Sequence, residues 1–200
     1  MPPKITEIHR NSIMKKIIAN ITIISFVFTL LFAALYSHTE NGVSLALAIT
    51  AGTTLYHFAM RLAVGFFYDR IMNNKADLGR WWYQPKGFEK RIYSWLNVKN
   101  WKGIMPSYEP ELFNPQKHTW NEIAQAMCQA ELVHETIILL SFVPILFAKP
   151  FGALPVFVIT SVLSAAFDMI FVIMQRYNRP RVIKLAEIEK AHKGGIHNAE

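Results

Sequence analysis

Four long apolar runs constrain the fold of this chain more than any other feature of its sequence. They cover about residues 17–37, 43–67, 127–147 and 154–174. Each run is about as long as a helix must be to cross the hydrocarbon core of a bilayer. Because no water is available there, a spanning segment has to satisfy its own backbone hydrogen bonds, which favours helices. The sequence therefore predicts an all-α integral membrane protein with about four transmembrane helices.

The first run has the alternative reading of a cleaved signal peptide. The apolar region of a signal peptide is shorter and is followed by a cleavage site with small residues. Residues 17–37 are long for such a region, and no obvious cleavage site follows them. We interpret the run as a retained span, and residues 1–200 as a single membrane domain with a flexible tail over about 190–200.

The charge of the chain indicates what it meets outside the hydrocarbon. The net charge is +7, and 52% of the residues are apolar. The charged residues avoid the apolar runs and cluster between them, which favours anionic lipid headgroups over nucleic acid as partners. The single cysteine, Cys128, excludes a disulfide within the chain.

The segment between the second and third runs, about residues 70–118, is too polar to cross a membrane but is rich in tryptophan. Its tryptophans alternate with lysine and arginine, a pattern typical of helices that lie in the headgroup layer. A small soluble loop domain is the alternative, but the segment has few aliphatic residues to bury. We predict amphipathic interfacial helices between spans two and three, and hypothesise that they cap the polar residues of the spans from the cytosol.

The distribution of lysine and arginine predicts the orientation. The N-terminal segment, the central segment and the C-terminal segment are all rich in these residues, whereas the other two loops contribute only Lys149. Basic residues accumulate on the cytosolic side of membrane proteins. We therefore expect a multi-pass protein with both termini in the cytosol.

Ionisable residues interrupt three of the four runs at a similar depth. With a rise of about 1.5 Å per helical residue, Arg61, Asp168 and His134 lie about 9–10 Å inside the cytosolic ends of their spans, and Glu131 about 6 Å inside. His57 lies about one turn deeper than Arg61. An unpaired charge at this depth is costly, so we expect Arg61 and Asp168 to form a structural ion pair. His57 is either a packing residue or a reactive one.

Glu131 and His134 are the candidates for acid–base chemistry. They are three residues apart and so share a helix face. An acid that orients a histidine can make it a general base, and the alternative is that both residues only fix helix packing. Glu-x-x-His is also half of a carboxylate di-metal site, but no second copy exists, so we expect no metal. Cys128 is either a nucleophile or a small buried hydrophobe.

The motif "QRYNRPR", residues 175–181, follows the fourth span. We expect Pro180 to end the helix there. The three arginines, Arg176, Arg179 and Arg181, suit bidentate binding of phosphate or carboxylate, although a cytosolic flank is also commonly basic.

Three stretches together resemble a known family: "YSWLNVKNWKGIMP", "AELVHE" and "QRYNRPR". They are similar to the bacterial glycosyl-4,4'-diaponeurosporenoate acyltransferases, small membrane enzymes that esterify the sugar of a glycosylated carotenoid with a fatty acyl chain. The similarity runs from about Tyr56 to Lys184. It marks residues in the central segment, in the third span and after the fourth span, namely Trp101, Lys102, Pro106, Glu131, His134 and Gln175 through Arg179.

The resemblance implies acyl transfer to a hydroxyl of a lipid-linked acceptor at the cytosolic face of a bacterial inner membrane. The donor would be an acyl thioester of coenzyme A or of a carrier protein, with no tightly bound cofactor. His134 with Glu131 would deprotonate the acceptor, and Arg61 or His57 would stabilise the oxyanion. The residues expected to bind substrate are Trp101, Lys102, Arg176, Asn178, Arg179 and Arg181.

Two other functions fit the same residues. One is a different membrane transferase that uses a soluble anionic cofactor, and the other is a non-catalytic lipid-binding or accessory protein. A transporter fits poorly, because ionisable groups in one leaflet offer no path to the far side. The sequence leaves the oligomeric state, the acceptor and the acyl length open.

Overall fold

The fold is all-α throughout residues 5–101 and 110–197, the part of the chain that the computed structural model describes; side chains are described over 16–101 and 111–192. Six α-helices form in this part: α1 (Ile5–Thr39), α2 (Gly42–Met72), α3 (Glu89–Trp95), α4 (Trp120–Leu140), α5 (Ala148–Phe151) and α6 (Leu154–His197). Short 3-10 turns cover Trp81–Tyr83, Val98–Trp101, Pro110–Phe113 and Val143–Phe147.

Four helical segments are long and apolar enough to cross a membrane: Lys16–Thr39, Gly42–Met72, Trp120–Phe151 and Leu154–His192. The second and third are joined by a segment whose described residues form only short helices, α3 and the 3-10 turns. The chain is therefore an all-α membrane protein with short helices between its second and third spans, as the apolar runs predict.

The first of two compact units consists of Met1–Phe67 and Glu135–Met169. Within it, the buried residues of α2 follow a spacing of three and four and so form one face: Thr53, His57, Met60 and Val64. Gly52 of α2 lies against α1, where an added Cβ atom would be 3.6 Å from a methyl group of Thr29. Over residues 16–39, most apolar side chains of α1 are exposed, as suits a helix surrounded by lipid.

The second unit consists of Tyr68–His134 and Ile170–Glu200. The turn after α2 contains Asn73 and Asn74 at positive φ, a conformation that asparagine tolerates better than most residues. Two glutamines of α4 hold this turn. Gln129 accepts a hydrogen bond from the N–H of Asn74 at 2.7 Å, and Gln125 accepts one from the N–H of Ala76 at 3.3 Å.

The start of α4 is fixed by its local sequence. The Thr119 N–H donates to the Glu122 carboxylate at 2.8 Å, and the Glu122 N–H donates to the Thr119 hydroxyl at 3.3 Å. This reciprocal arrangement is a capping box, which satisfies backbone N–H groups that lack helical partners. It fixes the register of α4, on which Glu131 and His134 lie.

The third apolar run does not form one continuous α-helix. The regular helix ends at Leu140, and Val143–Phe147 continues as a 3-10 turn. Pro144 explains the change, because proline lacks an N–H donor and disfavours helical conformation in the residue before it. Despite this break, Trp120–Phe151 as a whole is long and apolar enough to span a membrane.

The prediction that Pro180 ends the helix is wrong, because α6 continues through it to His197. A proline inside a helix costs about 3 kcal/mol through its missing hydrogen bond and its ring. Tertiary contacts on both sides of Pro180 offset this cost. Arg179 binds Glu131, and Glu189 accepts a hydrogen bond from the Trp120 N–H at 3.0 Å. The tail predicted over 190–200 thus begins inside α6, and residues 198–200 lie outside the described part.

Candidate active site

Glu131 on α4 is fully buried, and each of its carboxylate oxygens accepts a hydrogen bond from a different arginine of α6. Oε1 binds Arg176 and Oε2 binds Arg179. The two arginines are three residues apart and so project from one face of α6. Burying a carboxylate is costly unless it is paired and hydrogen-bonded, and the two arginines meet that requirement.

The same arginines bind the first residue of α3 and the turn that precedes this helix. Arg176 donates to Oε1 of Glu89 from Nε at 3.0 Å and from Nη2 at 2.5 Å. The two guanidinium groups also donate to three successive backbone carbonyls, those of Trp82, Tyr83 and Gln84. We call Glu89, Glu131, Arg176 and Arg179 the carboxylate–arginine network. It joins α3, α4 and α6 within the second unit.

Two tyrosines extend this network. The Tyr93 hydroxyl donates to Oε2 of Glu89 at 2.7 Å. Burial alone would raise the pKa of Glu89, but the hydrogen bonds from Tyr93 and Arg176 outweigh it, so the pKa lies below its usual value. Burial and the Glu89 carboxylate raise the pKa of Tyr93. Burial is also the main reason that the pKa of Tyr83 is raised to about 12.

The network changes the role expected for two of the three arginines. Sequence reasoning assigned Arg176 and Arg179 to substrate phosphate, but both side chains are largely buried and bind protein carboxylates. Two arginines and two acids balance in charge. This arrangement favours a structural role, in which the two arginines hold the 81–84 turn against α4 and α6.

His134 lies one helical turn after Glu131 and is half-buried. Its ring stacks on that of Phe171 in α6, with ring centres 4.5 Å apart and planes within 6° of parallel. Sequence reasoning expected Glu131 to orient His134 directly. In the structure the two carboxylate oxygens of Glu131 accept hydrogen bonds from arginines, and Phe171 fixes the plane of the histidine ring.

A second polar cluster lies in the first unit. Arg61 on α2 forms an ion pair with Asp168 on α6, the two residues that sequence reasoning paired. The Arg61 guanidinium also donates to the Ser164 hydroxyl at 2.9 Å and to the His57 carbonyl at 2.8 Å. The Ser164 hydroxyl is in turn hydrogen-bonded to the Ser141 hydroxyl at 2.8 Å.

His57 and Ser161 are the exceptions in this cluster. His57 is 5% exposed and Ser161 fully buried. Among the described residues, the two ring nitrogens of His57 and the hydroxyl of Ser161 have no hydrogen-bond partner. The His57 ring instead meets the edge of the Tyr56 ring, with centres 5.5 Å apart. Buried polar groups are nearly always hydrogen-bonded, so these two require an explanation.

The remaining predicted substrate-binding residues lie in the second unit. Arg181 is exposed, and its guanidinium donates to the Tyr177 hydroxyl at 3.0 Å. Asn178 on α6 is half-buried, and so is Trp101, which ends a 3-10 turn. The predictions for Lys102 and Pro106 fall outside the described residues.

A surface cleft of about 640 Å³ lies beside the turn after α2. Its charged side chains are Lys75, Asp77 and Glu122, with His118 beside them, so the cleft does not favour an anionic group. Over the described residues, no group of three or more His, Cys, Asp and Glu side chains is arranged to hold a metal ion. Cys128 is fully buried in the second unit, as a small apolar residue would be.

Sequence reasoning missed Glu89 and Ser164. Glu89 and Tyr93 are four residues apart, so an acid and a tyrosine share one face of a short helix. This pairing could have indicated Glu89 as a site residue. Ser161, Ser164 and Asp168 follow a three- and four-residue spacing on α6. That spacing marks a polar stripe in a span, which could have indicated Ser164 as a partner of Arg61.

The fold and the two buried polar clusters define a helical membrane protein whose spans bury ionisable groups, an arrangement typical of functional membrane proteins. A family model described as glycosyl-4,4'-diaponeurosporenoate acyltransferase matches residues 79–188. Because the match covers more than half of the chain, the chain belongs to this family, and it is an acyltransferase. The matched range includes the whole carboxylate–arginine network and His134. Neither a curated protein nor a solved structure matches the chain.

Proposed function

We propose that this acyltransferase moves a fatty acyl chain from a thioester donor to a hydroxyl group of a glycosylated lipid, with glycosyl-4,4'-diaponeurosporenoate as the acceptor. The family match supports the reaction class and the acceptor. The four apolar helices support an acceptor that resides in a membrane. The donor is a thioester of coenzyme A or of a carrier protein, and no tightly bound cofactor is needed for this chemistry.

His134 acts as the general base. An imidazole nitrogen takes the proton of the acceptor hydroxyl as its oxygen attacks the thioester carbonyl, and the carbonyl becomes a tetrahedral oxyanion. The carbon–sulfur bond then breaks, and the proton passes to the leaving thiolate. The observation that carries this role is the stacking of the His134 ring on Phe171, one turn from a buried carboxylate in the family-matched range. A base held in one plane transfers protons along a fixed direction.

Glu131 supports His134 indirectly. Its contacts with Arg176 and Arg179 fix the facing sides of α4 and α6, and Phe171 lies on α6 five residues before Arg176. We assign the network to positioning rather than to contact with the donor. Among the arginines of "QRYNRPR", exposed Arg181 is then the candidate for donor phosphate, together with Trp101, Asn178 and Lys102 as further candidates.

The reaction takes place at the cytosolic leaflet of a bacterial inner membrane, with both termini in the cytosol. The concentration of lysine and arginine in the N-terminal, central and C-terminal segments supports this orientation. Acyl thioesters of coenzyme A and of carrier proteins are large and charged, so they reach the enzyme from an aqueous compartment.

Lipid mass spectrometry on cells supplied with the glycosylated acceptor tests the proposed function. Cells that express the chain should accumulate an acceptor heavier by one acyl chain, and cells with an empty vector should not. Expression has to be verified in the membrane fraction. An acceptor of unchanged mass, with the protein present and folded, would contradict the proposal and favour an accessory protein.

A further inference from the structure

We propose that His57 and Ser161 form a binding site for one uncharged oxygen atom carried by a long-chain lipid, either the carbonyl of an acyl ester or a lipid hydroxyl. The site lies in the first unit and shares no residue with the carboxylate–arginine network or with the residues proposed for proton transfer. It rests on the proposed function only in that acyl transfer brings such lipids to the protein.

The first argument is the unsatisfied hydrogen-bonding capacity of the two side chains. His57 is 95% buried, Ser161 is fully buried, and neither has a partner among the described residues. An uncharged imidazole carries one N–H donor and one acceptor nitrogen, and a hydroxyl carries one donor and two lone pairs. A bound group with an oxygen atom would satisfy both side chains at once.

The second argument is that each of the two residues is close along its helix to a partner of Arg61. Arg61 donates to the His57 carbonyl at 2.8 Å and to the Ser164 hydroxyl at 2.9 Å. Ser161 lies three residues before Ser164, on the same face of α6. Arg61 therefore binds the backbone of His57 itself and, on α6, a serine one helical turn from Ser161.

The third argument concerns the charge of the ligand. Arg61 is already paired with Asp168, so the cluster offers no unbalanced cation to a phosphate or carboxylate. The helices that carry it, α2 and α6, are apolar enough to lie in hydrocarbon. A ligand there has to be mostly apolar, with one uncharged polar group. Esters and alcohols of long-chain lipids have this composition.

The two sources of the oxygen make different demands. A hydroxyl group can both donate and accept, so it can bind the acceptor nitrogen of His57. An ester carbonyl only accepts, so it needs the N–H of His57 and the hydroxyl of Ser161 as donors. Hexadecanol and methyl palmitate are matched probes for these two cases, and hexadecane is the control without oxygen.

The test is a nitrogen-15 NMR titration of histidine-labelled full-length protein in detergent, with the His57 signals identified by their loss in His57→Phe. Hexadecanol, methyl palmitate or both should shift these signals at concentrations at which hexadecane does not. Removing one hydrogen bond in Ser161→Ala should weaken the effect about tenfold. Thr160→Val, which removes a neighbouring hydroxyl that is bonded to its own helix, should leave the titration unchanged.

Equal effects of hexadecane and of both oxygenated probes, or no effect of any probe, would overturn the proposal and leave water as the partner of these groups. A shift with hexadecanol alone would identify the site with a lipid hydroxyl, and a shift with methyl palmitate alone with an acyl carbonyl. The readout requires no turnover. The proposed site can therefore fail while acyl transfer is found, and the reverse can also occur.

Discussion

At the scale of single residues, the second unit holds a carboxylate from which water is fully excluded. Glu131 is 0% exposed, and its two oxygens bind two different arginines. Replacing a buried ion pair by apolar residues is often tolerated, but removing one partner leaves the other charge buried and unpaired. Removing Glu131 would therefore leave Arg176 and Arg179, which also hold the 81–84 turn, without their shared carboxylate.

Glu131→Gln should lower the free energy of unfolding by about 3–5 kcal/mol, because it leaves arginine charge without its carboxylate. Chemical unfolding of the purified protein in detergent measures the change. Glu111→Gln is a matched control, because Glu111 is half-exposed in its ion pair with Lys117 and should lose about 0–1 kcal/mol. Equal losses in the two variants would contradict the assignment of the network to positioning.

Tyr83 makes the stability sensitive to alkaline pH. Its pKa is raised from the ordinary 10.0 to about 12, so the folded state favours the protonated hydroxyl. The stabilisation that comes from this shift is complete below pH 10 and is lost as the pH rises through about 12. We expect a loss of about 3 kcal/mol over this window, at 1.36 kcal/mol per unit.

Tyr83→Phe should remove this part of the alkaline loss and keep the ring next to Arg179. The Arg179 hydrogen bond to the backbone carbonyl of residue 83 also survives the substitution. Unfolding free energies measured from pH 8 upward in both proteins give the difference. Curves that fall in parallel would show that the ionisation of Tyr83 does not affect stability.

The sequence located Glu131 and His134 because ionisable residues stand out in an apolar run. It could not identify the partners of Glu131, because Arg176 and Arg179 are separated from it by tens of residues and meet it only through tertiary structure. It did pair Arg61 with Asp168, since each was an obvious charge at a matching depth of a span. The acid expected to orient His134 binds arginines instead, because α6 delivers two guanidinium groups to the same place.

At the scale of elements, α3 and the residue before it bury one acid and expose three large apolar side chains. Glu89 is buried in the network, while Trp95 is 84% exposed and Ile92 and Phe88 are also exposed. In water this pattern would leave a large apolar surface uncovered. At a headgroup layer it is favourable, since aromatic rings enter the acyl boundary and the lysines and arginines meet phosphate.

Trp95 should therefore lie in the interface of the bilayer. In nanodiscs, its fluorescence should be quenched more by lipids brominated near the headgroup than by lipids brominated at the end of the acyl chain. Trp95→Phe should remove more of the quenched emission than Trp101→Phe, because Trp101 is half-buried. If aqueous iodide quenched the Trp95 emission and neither brominated lipid did, α3 would not lie in the interface.

The elements themselves were largely predictable. Apolar runs of span length fix α1, α2 and α6, because hydrocarbon leaves the backbone no alternative to helix. Pro180 does not end α6 as the sequence predicts, because the rule that proline ends a helix describes the local cost alone. Contacts of Arg179 and Glu189 lie on either side of it and outweigh that cost. Pro144, by contrast, does interrupt its helix, because the regular part of α4 ends at Leu140.

At the scale of the whole molecule, we expect both termini and the segment between α2 and α4 on the cytosolic side of the membrane. Cys128 is the single cysteine and is buried, so a Cys128→Ala background allows labelling of introduced cysteines. Asn41→Cys, between α1 and α2, should react with an impermeant maleimide in intact cells. Asp77→Cys, after α2, should react only after the inner membrane is opened. The reverse pattern would place the segment after α2 on the side of the membrane that acyl thioesters do not reach.

Acyl transfer by this chain is tested with the purified protein alone in lipid nanodiscs, supplied with glycosyl-4,4'-diaponeurosporenoate and an isotope-labelled acyl thioester of coenzyme A or of acyl carrier protein. We predict that mass spectrometry finds the labelled ester with the wild type and with His38→Gln, an exposed histidine substitution that serves as control. Folded His134→Gln should form it at least about 100-fold more slowly. Equal rates for His134→Gln and the wild type would remove the proposed base. Ester formation with neither donor, when the source membranes carry out the reaction, would contradict catalysis by this chain.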